Sequence, residues 1–330
     1  MSSKIEKDSL GGRMKEYEFI TRSSLIRNLP VIVRLDGRAF HTFTKGFEKP
    51  VDSIISTCMI NTMQELCNST QGCKLGYTQS DEISLFLCDY DSIKSSPFLK
   101  NNIQKITSIL ASKATNSFNS TLITMMASMD ESDKRKDLIR RKVFKAEFDC
   151  RAFNLPRNEV INYFIWRQQD AVRNSIQGLG QSVYSQKELH GINMRDLQNK
   201  LFSEKGINWD SLPIYHKRGL TCIKGYETHE WFIDYCSPIF SQDRGYIEDL
   251  VIGNSEFIGN FLNKAKIGDE VTSKVYSRIE GLYPKVCNIR FIHKSMFDNE
   301  EFKKTFEKSE DIIFSFIYKE GRKVIVDRMN

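Results

Sequence analysis

Two strand-like runs meet at one polar corner, and this feature constrains the fold more than any other stretch of the chain. The run Cys73–Thr78 leads into Q-S-D-E at residues 79–82, and an apolar run, I-S-L-F-L-C, returns from it. Two short strand patterns joined by a tight polar turn are typical of an antiparallel hairpin. The sequence therefore places two acids, Asp81 and Glu82, at a hairpin tip, directly before residues that a core would bury.

The segments on either side of this hairpin predict a complete structural unit. A buried strand over residues 29–36 comes first, followed by a helix that Asp52 caps and whose apolar residues recur at three- and four-residue spacing. After the hairpin, the pattern predicts a helix from about Asn101 to Phe118 and a strand over Lys145–Phe153. The order β-α-β-β-α-β is that of a ferredoxin-like unit, so we expect an α+β fold with an antiparallel sheet.

This topology brings separated acids together. The first strand of such a unit ends at the edge where the hairpin turns, so Asp36 is expected beside Asp81 and Glu82. Neighbouring carboxylates repel one another unless a cation compensates them, and hard oxygen ligands suit Mg²⁺. We therefore predict a site for two Mg²⁺ ions, as in enzymes of phosphoryl displacement. The alternatives are an ordinary Asp-Gly turn at residues 36–37 and solvated acids at the hairpin tip.

Basic side chains are concentrated close to Asp36. They are Arg34, Arg38, His41, Lys45 and Lys49. Cations beside a carboxylate cluster suit a nucleoside triphosphate, whose oxygens need charge-assisted partners. The alternative is that they only neutralise the acids, and for Lys45 we favour that interpretation. The chain contains neither a P-loop nor a Rossmann glycine motif, so neither phosphate site is predicted.

The densest basic run is D-K-R-K-D-L-I-R-R-K-V-F-K, residues 133–145. It fits a surface that binds the RNA phosphate backbone and, equally well, an ordinary solvated helix face.

Composition sets the broad class. The chain has 330 residues and a formal net charge of +6, and it has no apolar run long enough to cross a membrane. Its first residues carry acids and lack the apolar stretch of a signal peptide. Its eight cysteines include no C-x-x-C pair, which favours reduced thiols in an intracellular protein. We expect a cytoplasmic protein without membrane association, and the sequence leaves a mitochondrial location open.

Several ordered motifs together resemble one known family, the tRNA-histidine guanylyltransferases and the related 3′-to-5′ RNA polymerases. The matching motifs are V-R-L-D-G-R-A-F-H-T-F (33–43), K-P-V-D (49–52), Q-S-D-E-I-S (79–84), F-D-C-R (148–151), Y-F-I-W-R-Q-Q-D (163–170), L-P-I-Y-H-K-R-G (212–219) and W-F-I-D-Y-C-S-P-I-F-S-Q-D-R (231–244). The resemblance covers roughly residues 10–250. It implies a polymerase-type palm in residues 1–150, a second family half in 151–250 that carries an RNA- or triphosphate-contacting helix, and an extension or small lobe in 251–330. It also implies a homotetramer.

The resemblance assigns roles to particular positions. Metal ligands fall on Asp36, the Gly37 carbonyl and Asp81, and Glu82 completes the acidic edge as a catalytic residue. Nucleotide contacts fall on Arg34, Asp36, Gly37, Arg38, Ala39, Phe40, His41, Lys49, Ser80 and Asp81. Contacts with the triphosphate or the RNA 5′ end fall on Lys105, Arg151, Arg173, Asn174 and Lys217.

The implied activity is Mg²⁺-dependent nucleotide addition to tRNA 5′ ends, with ATP and GTP as substrates. Members that add the extra guanosine to tRNA-histidine carry His-Ile-Asn-Asn where this chain has V-R-N-S, residues 172–175. The R-N-S form resembles the branch that repairs truncated tRNA 5′ ends, so we predict template-dependent repair. The alternatives are guanosine addition to tRNA-histidine, a nucleotide cyclase with a similar palm, and a tRNA-binding protein without catalytic activity.

Overall fold

The computed structural model describes residues 9–91, 94–224, 231–235 and 237–252, and four later strands. The helices are α1 (Leu10–Ile20), α2 (Phe40–Phe43), α3 (Ser53–Ser69), α4 (Ile103–Ala127), α5 (Lys134–Lys142), α6 (Glu159–Val183), α7 (Gln186–Leu189), α8 (Met194–Lys205), α9 (Ile214–Arg218) and α10 (Gly245–Ile252). The strands are β1 (Val31–Gly37), β2 (Cys73–Gln79), β3 (Glu82–Leu87), β4 (Phe148–Asn154), β5 (Leu220–Lys224), β6 (Trp231–Asp234), β7 (Glu270–Val271), β8 (Ile289–His293), β9 (Ile312–Lys319) and β10 (Arg322–Met329).

The first six strands form one antiparallel sheet in the order β4-β1-β3-β2-β5-β6. Helix α3 connects β1 to β2, and α4 lies between β3 and β4. This is the predicted β-α-β-β-α-β order, extended at the β2 edge by β5 and β6. The α+β fold class is therefore confirmed.

Each face of the sheet is covered by a different pair of helices. Helices α3 and α4 pack on one face, where Val33, Leu35 and Leu85 belong to a large apolar core. Helices α6 and α10 cover the other face, where a second core contains Ile32 and Phe86. Because side chains alternate along a strand, neighbouring residues of β1 enter different cores.

Local signals explain why these elements begin where they do. The Asp52 carboxylate accepts hydrogen bonds from the backbone N–H groups of Ile54 (2.8 Å) and Ile55 (3.3 Å), as predicted for the N-cap of α3. Helix α6 begins at Glu159, an acid in the first turn, where negative charge is favourable. Helix α4 extends to Ala127, well beyond the predicted end at Phe118, because apolar residues such as Leu122 continue its buried face.

The last four strands form a separate sheet in the order β10-β9-β8-β7, with β8 and β9 parallel. Two runs within the predicted extension, V-C-N-I-R-F-I (286–292) and D-I-I-F-S-F-I-Y (311–318), overlap β8 and β9. A third run, F-I-G-N-F-L at residues 257–262, lies outside the described residues. The proposed division at residues 150 and 250 stays a prediction. In the described part of the chain, no helix has the length and apolar character needed to span a bilayer.

Candidate active site

Three acids lie in one row across neighbouring strands. Asp36 at the end of β1 is paired with Glu82 on β3 and, on its other side, with Asp149 on β4. Directly opposed residues on an antiparallel sheet have Cβ atoms about 4.5–5.5 Å apart. The prediction that β1 and the hairpin share an edge is therefore correct, and the strand register adds a third acid that sequence reasoning missed.

The next row on the same face is basic, and the row after that is apolar. Arg34 lies two residues before Asp36 and opposes Arg151 on β4 and Ser84 on β3. Ile32 lies two residues further back and opposes Phe153 and Phe86. This face thus changes from acidic to basic to apolar within five residues of β1, so the charges are confined to one edge of the sheet.

Asp81 completes the acidic edge from the hairpin tip. The Gly37 N–H donates a hydrogen bond to the Asp81 carbonyl (3.0 Å), which ties the end of β1 to the hairpin. Burial and then the nearby Asp36 carboxylate raise the pKa of Asp81, while burial and then Asp149 raise the pKa of Asp36. Within the described part of the chain, neither carboxylate of this pair has a salt-bridge partner within 4.0 Å.

Glu82 has a different environment from its neighbour. Its carboxylate lies 2.6 Å from the guanidinium of Arg167 on α6, and both side chains are buried. Burial raises the pKa of Glu82, and the Arg167 charge opposes that effect. Arg167 also contacts Asp170 (3.1 Å) and stacks on Trp166 (3.7 Å to the ring centroid). Glu82 lies in the acidic row as expected, but its charge is compensated by Arg167, so its catalytic role stays a prediction.

With Glu82 paired to Arg167, few groups at this edge are left to bind a metal ion. Among the described residues, no group of three His, Cys, Asp or Glu side chains is arranged to hold a metal ion. Asp36 and Asp81 instead form a pair of carboxylates whose charges are poorly compensated, next to the Gly37 backbone. Hard oxygen donors of this kind fit Mg²⁺, which usually takes one or two carboxylates and fills its other positions with water or phosphate.

Backbone geometry at the edge is unusual. Ala39 (φ 53°) and Ser80 (φ 50°) both adopt the left-handed conformation, one after β1 and the other in the hairpin turn. Such conformations are costly for residues with a side chain and are concentrated at functional sites. Position 37 requires glycine, because a Cβ there would lie 2.3 Å from the Phe40 ring. Phe40 itself is buried among aromatic rings.

A cleft of about 350 Å³ opens beside Asp81. Six residues assigned to ligand binding from the sequence line it: Phe40, His41, Lys49, Ser80, Asp81 and Asn174. Tyr215 and His216 of α9 form part of the wall, and burial lowers the pKa of His216. The cleft has the size of a small-ligand pocket and combines apolar walls with a few polar groups.

Other residues that were predicted to bind nucleotide or RNA do not line this cleft. Arg151 bonds to Asp149 (3.1 Å) beside the acidic row, Arg38 pairs with Glu147 (2.6 Å), and Arg173 is exposed on α6. Lys217 is buried, and its ammonium group is bonded to Asp210 (2.9 Å to the carboxylate), so it is not available to a triphosphate here.

The structure does not bring Lys105 to the acids. It lies in the first turn of α4, whereas Thr115 of the same helix contacts the start of β4 through the Phe148 N–H (3.3 Å). Ten residues of helix separate the two positions by about 15 Å, since each residue rises about 1.5 Å. The direction of α4 therefore places Lys105 toward the opposite edge of the sheet.

Two charged residues at this edge have weak sequence signals. Asp149 lies in the motif F-D-C-R on β4. Side chains alternate along β1 and β4, so pairing the two strands in register places Asp149 on the same face as Asp36. Arg167 lies within W-R-Q-Q-D, but no local pattern identifies Glu82 as its partner, 85 residues away in sequence.

Comparisons with known proteins find similarity to one family. A family model described as tRNAHis guanylyltransferase matches residues 11–156. A solved structure of a bacterial tRNA(His) guanylyltransferase-like protein in complex with ATP has 43% identity, covers 74% of this chain and all of its own, and superposes with a TM-score of 0.68. An uncharacterised protein of Acanthamoeba polyphaga mimivirus is 27% identical, over 67% of this chain and 79% of its own length. A probable tRNA(His) guanylyltransferase of Mus musculus is 29% identical, over 58% of this chain and 64% of its own.

Proposed function

Because this chain belongs to the tRNA-histidine guanylyltransferase superfamily and is a nucleotidyltransferase, we propose that it adds nucleotides to tRNA 5′ ends in the 3′-to-5′ direction. The proposed reaction is template-dependent repair of truncated 5′ ends. Its main support is the pair of adjacent carboxylates, Asp36 and Asp81, of which Asp81 also lines the cleft. The solved structure with 43% identity is of a guanylyltransferase-like protein, and the V-R-N-S form at residues 172–175 resembles the repair branch.

Asp36, Asp81 and the Gly37 carbonyl would hold divalent Mg²⁺ in this proposal. When bound, Mg²⁺ neutralises phosphate charge and makes a hydroxyl a better nucleophile. Asp36 and Asp81 suit this role because burial raises the pKa of both, with further repulsion from Asp149 at Asp36 and from Asp36 at Asp81. Arg34 and Arg151 lie one row further along the same face, where they can bind the oxygens of a transferred phosphate.

The cleft would hold the nucleoside. His41 and Lys49 lie on one side, on the segment after β1, and Asn174 lies on the other, on α6. Binding a nucleotide in a fixed orientation next to the acids lowers the entropic cost of reaction. Gly219, whose Cβ would lie 2.4 Å from the Thr78 carbonyl, keeps the wall close to β2.

The proposed reaction has three phosphoryl-transfer steps. The RNA 5′-monophosphate attacks the α-phosphate of ATP, which forms an adenylylated 5′ end and releases pyrophosphate. The 3′-hydroxyl of an incoming nucleoside triphosphate then attacks the activated 5′ phosphate and releases AMP. Finally, water can attack the α-phosphate of the new 5′-triphosphate, which releases pyrophosphate and leaves a 5′-monophosphate. Pairing with the opposite acceptor strand selects the nucleotide, so the protein needs to recognise only the shape and backbone of the RNA.

A direct test offers 5′-truncated tRNAs and tRNA-histidine side by side with labelled nucleoside triphosphates. Growth of the truncated ends, with the base set by the opposite strand, supports repair. Growth of tRNA-histidine alone supports the guanylyltransferase alternative. Cyclic product from a nucleoside triphosphate without RNA indicates a cyclase, and tight RNA binding without growth or cyclisation indicates a binding protein.

A further inference from the structure

The basic segment at residues 133–145 consists of two different halves. In the first half, three cations each have a nearby carboxylate: Arg135 with Asp133 (3.0 Å), Lys136 with Glu131 (2.7 Å) and Arg140 with Asp137 (2.7 Å). These charges are largely neutralised by carboxylates within the segment or two residues before it. This half therefore matches an ordinary helix face, one of the two interpretations of the sequence.

The second half carries uncompensated charge. Arg141, Lys142 and Lys145 lie close to Lys45, and we call these four residues the basic patch. No member of the patch has a salt bridge within 4.0 Å in the described part of the chain. Burial lowers the pKa of Lys142, and the other three cations lower it further, which shows how close they are. A cluster of unpaired cations attracts polyanions.

An aromatic ring projects from the centre of the basic patch. Phe144 is 76% exposed and has φ 62°, a left-handed conformation that a bulky residue rarely adopts. Its ring therefore contributes little to the core, while its backbone adopts a costly conformation. Exposed aromatic rings among cations are the usual means of binding single-stranded nucleic acid, by base stacking and phosphate contacts together.

The position of the basic patch relates it to the candidate active site. From Phe144 the chain runs through Glu147, which is bonded to Arg38 (2.6 Å), to Asp149 in the acidic row. On the other side, the Lys142 ammonium donates to the Thr42 carbonyl (3.2 Å), and the adjacent His41 lines the cleft. The patch is thus next to the edge where the RNA end would react.

We propose that Phe144 stacks on an unpaired base at the acceptor end of the RNA substrate while the basic patch binds the flanking phosphates. This inference rests on the proposed function, because it concerns how the RNA of that reaction is held. The occupant is an RNA duplex end with a single-stranded extension, since a fully paired end offers no free base to Phe144.

The test measures binding of two fluorescent 5′-phosphorylated RNA hairpins, one with a blunt end and one with a short unpaired 3′ extension. For Phe144→Ala, affinity for the extended RNA should fall roughly tenfold, while affinity for the blunt RNA stays unchanged. Phe144→Trp should retain the wild-type affinity. Phe202→Ala is the matched control, because Phe202 is also a largely exposed phenylalanine (63%) but lies on α8.

The charges are tested separately by salt dependence. The double variant Arg141→Gln with Lys145→Gln should weaken binding of both RNAs and reduce the salt slope by about one for each phosphate that the variant no longer binds. The double variant Arg135→Gln with Arg140→Gln is the control and should change the slope much less, because both arginines are already paired.

The inference is overturned if Phe144→Ala binds the extended RNA as tightly as the wild-type protein does, or if it loses affinity equally for both RNAs. It is also overturned if Phe144→Ala has a different molecular mass from the wild-type protein in light scattering, because Phe144 would then be a subunit contact. The proposed function is judged independently by growth of tRNA ends with the wild-type protein. Normal growth combined with unchanged binding by Phe144→Ala would refute only the stacking role.

Discussion

The two faces of the six-stranded sheet use the same strands in different ways. On the face toward α3 and α4, β1 presents Val31, Val33 and Leu35, and all three are buried in one apolar core. On the face toward α6, the same strand presents Ile32, Arg34 and Asp36, which change from apolar to basic to acidic. The first face stabilises the fold along the whole strand. The second does so only at one end and leaves the other end for chemistry.

The difference shows how a stable fold carries repelling carboxylates. Asp36 directly follows Leu35, which is 0% exposed, so the backbone that holds the acid is fixed by the opposite core. Within the charged end, Glu82 is compensated by Arg167, whereas Asp36 and Asp81 remain without a salt bridge. We infer that Glu82 and Arg167 are structural, and that the uncompensated pair is catalytic.

The largest expected effect is on catalysis at the charged end. Asp36→Ala or Asp81→Ala should lower the rate of nucleotide addition about a thousandfold or more, because each removes a charge on which phosphoryl transfer depends. Each protein should still unfold cooperatively at nearly the wild-type temperature, since neither side chain belongs to a core. Single-turnover assays with truncated tRNA and thermal unfolding provide the two measurements.

Asp149→Ala is the matched control for these variants. Its acid lies in the same row but is exposed and bonded to Arg151 (3.1 Å), so the rate should change less than tenfold, roughly. Wild-type turnover in Asp36→Ala or Asp81→Ala would contradict the assignment of the site.

The next largest effect concerns the buried ion pair. Arg167→Met should lower the free energy of unfolding by about 3–5 kcal/mol, because it leaves the Glu82 carboxylate buried without its partner. Adding Glu82→Gln to this variant should restore part of the loss, as measured by urea denaturation in a double-mutant cycle.

Arg173→Met tests whether burial of the ion pair causes the loss of stability expected for Arg167→Met. Arg173 lies on the same helix, is 59% exposed at its side chain and reaches Asp170 only at 3.5 Å. The Arg173→Met substitution should lower the free energy of unfolding by less than about 0.5 kcal/mol. If the two arginine variants were equally destabilised, the Glu82 pair would not be a structural element of this edge.

A comparable substitution on the apolar face should affect stability without affecting chemistry. Leu35→Ala should cost about 2–4 kcal/mol in unfolding free energy, because it opens a cavity beneath β1. Activity per folded molecule should stay within a few-fold of wild type at low temperature. Leu10→Ala, at a residue that is 67% exposed, is the control and should change neither quantity. A thousandfold loss of activity in Leu35→Ala would show that the two faces are not independent.

The apolar face and the position of the acids were predictable from the sequence for the same reason. Strand alternation and the β-α-β-β-α-β order involve only local patterns and one topological rule, and these are sufficient to place Asp36 beside the hairpin. The Asp52 cap was equally local. Helix α4 was predicted too short because its polar C-terminal half still buries Phe118 and Leu122.

The partners of the acids could not be predicted. Whether Glu82 faces a metal or an arginine depends on how α6 crosses the sheet, and no local pattern encodes that crossing. The same holds for Lys217, whose bond to Asp210 arises from the fold of the α9 region. The α5 segment has uniform basic composition, yet the structure divides it into paired and unpaired halves, because pairing depends on side-chain positions.

The smallest expected effect sharpens the comparison at the hairpin itself. Ser80 adopts φ 50°, so Ser80→Gly removes a steric cost of about 1–2 kcal/mol but adds backbone entropy to the unfolded chain. The net expected change is a gain of about 0.5 kcal/mol in unfolding free energy, measured in urea. Nucleotide addition should fall a few-fold, because the turn that holds Asp81 becomes less rigid and the Ser80 hydroxyl, which lowers the pKa of Asp81, is lost.

Ala39→Gly is the matched control for Ser80→Gly, since Ala39 has nearly the same φ of 53° but its side chain has no hydrogen bond to an acid. It should gain stability by a similar amount and keep more of its activity. A clear loss of stability in both glycine variants would mean that the left-handed turns cost the fold little. The strain at the charged edge would then not distinguish it from the apolar face beneath it.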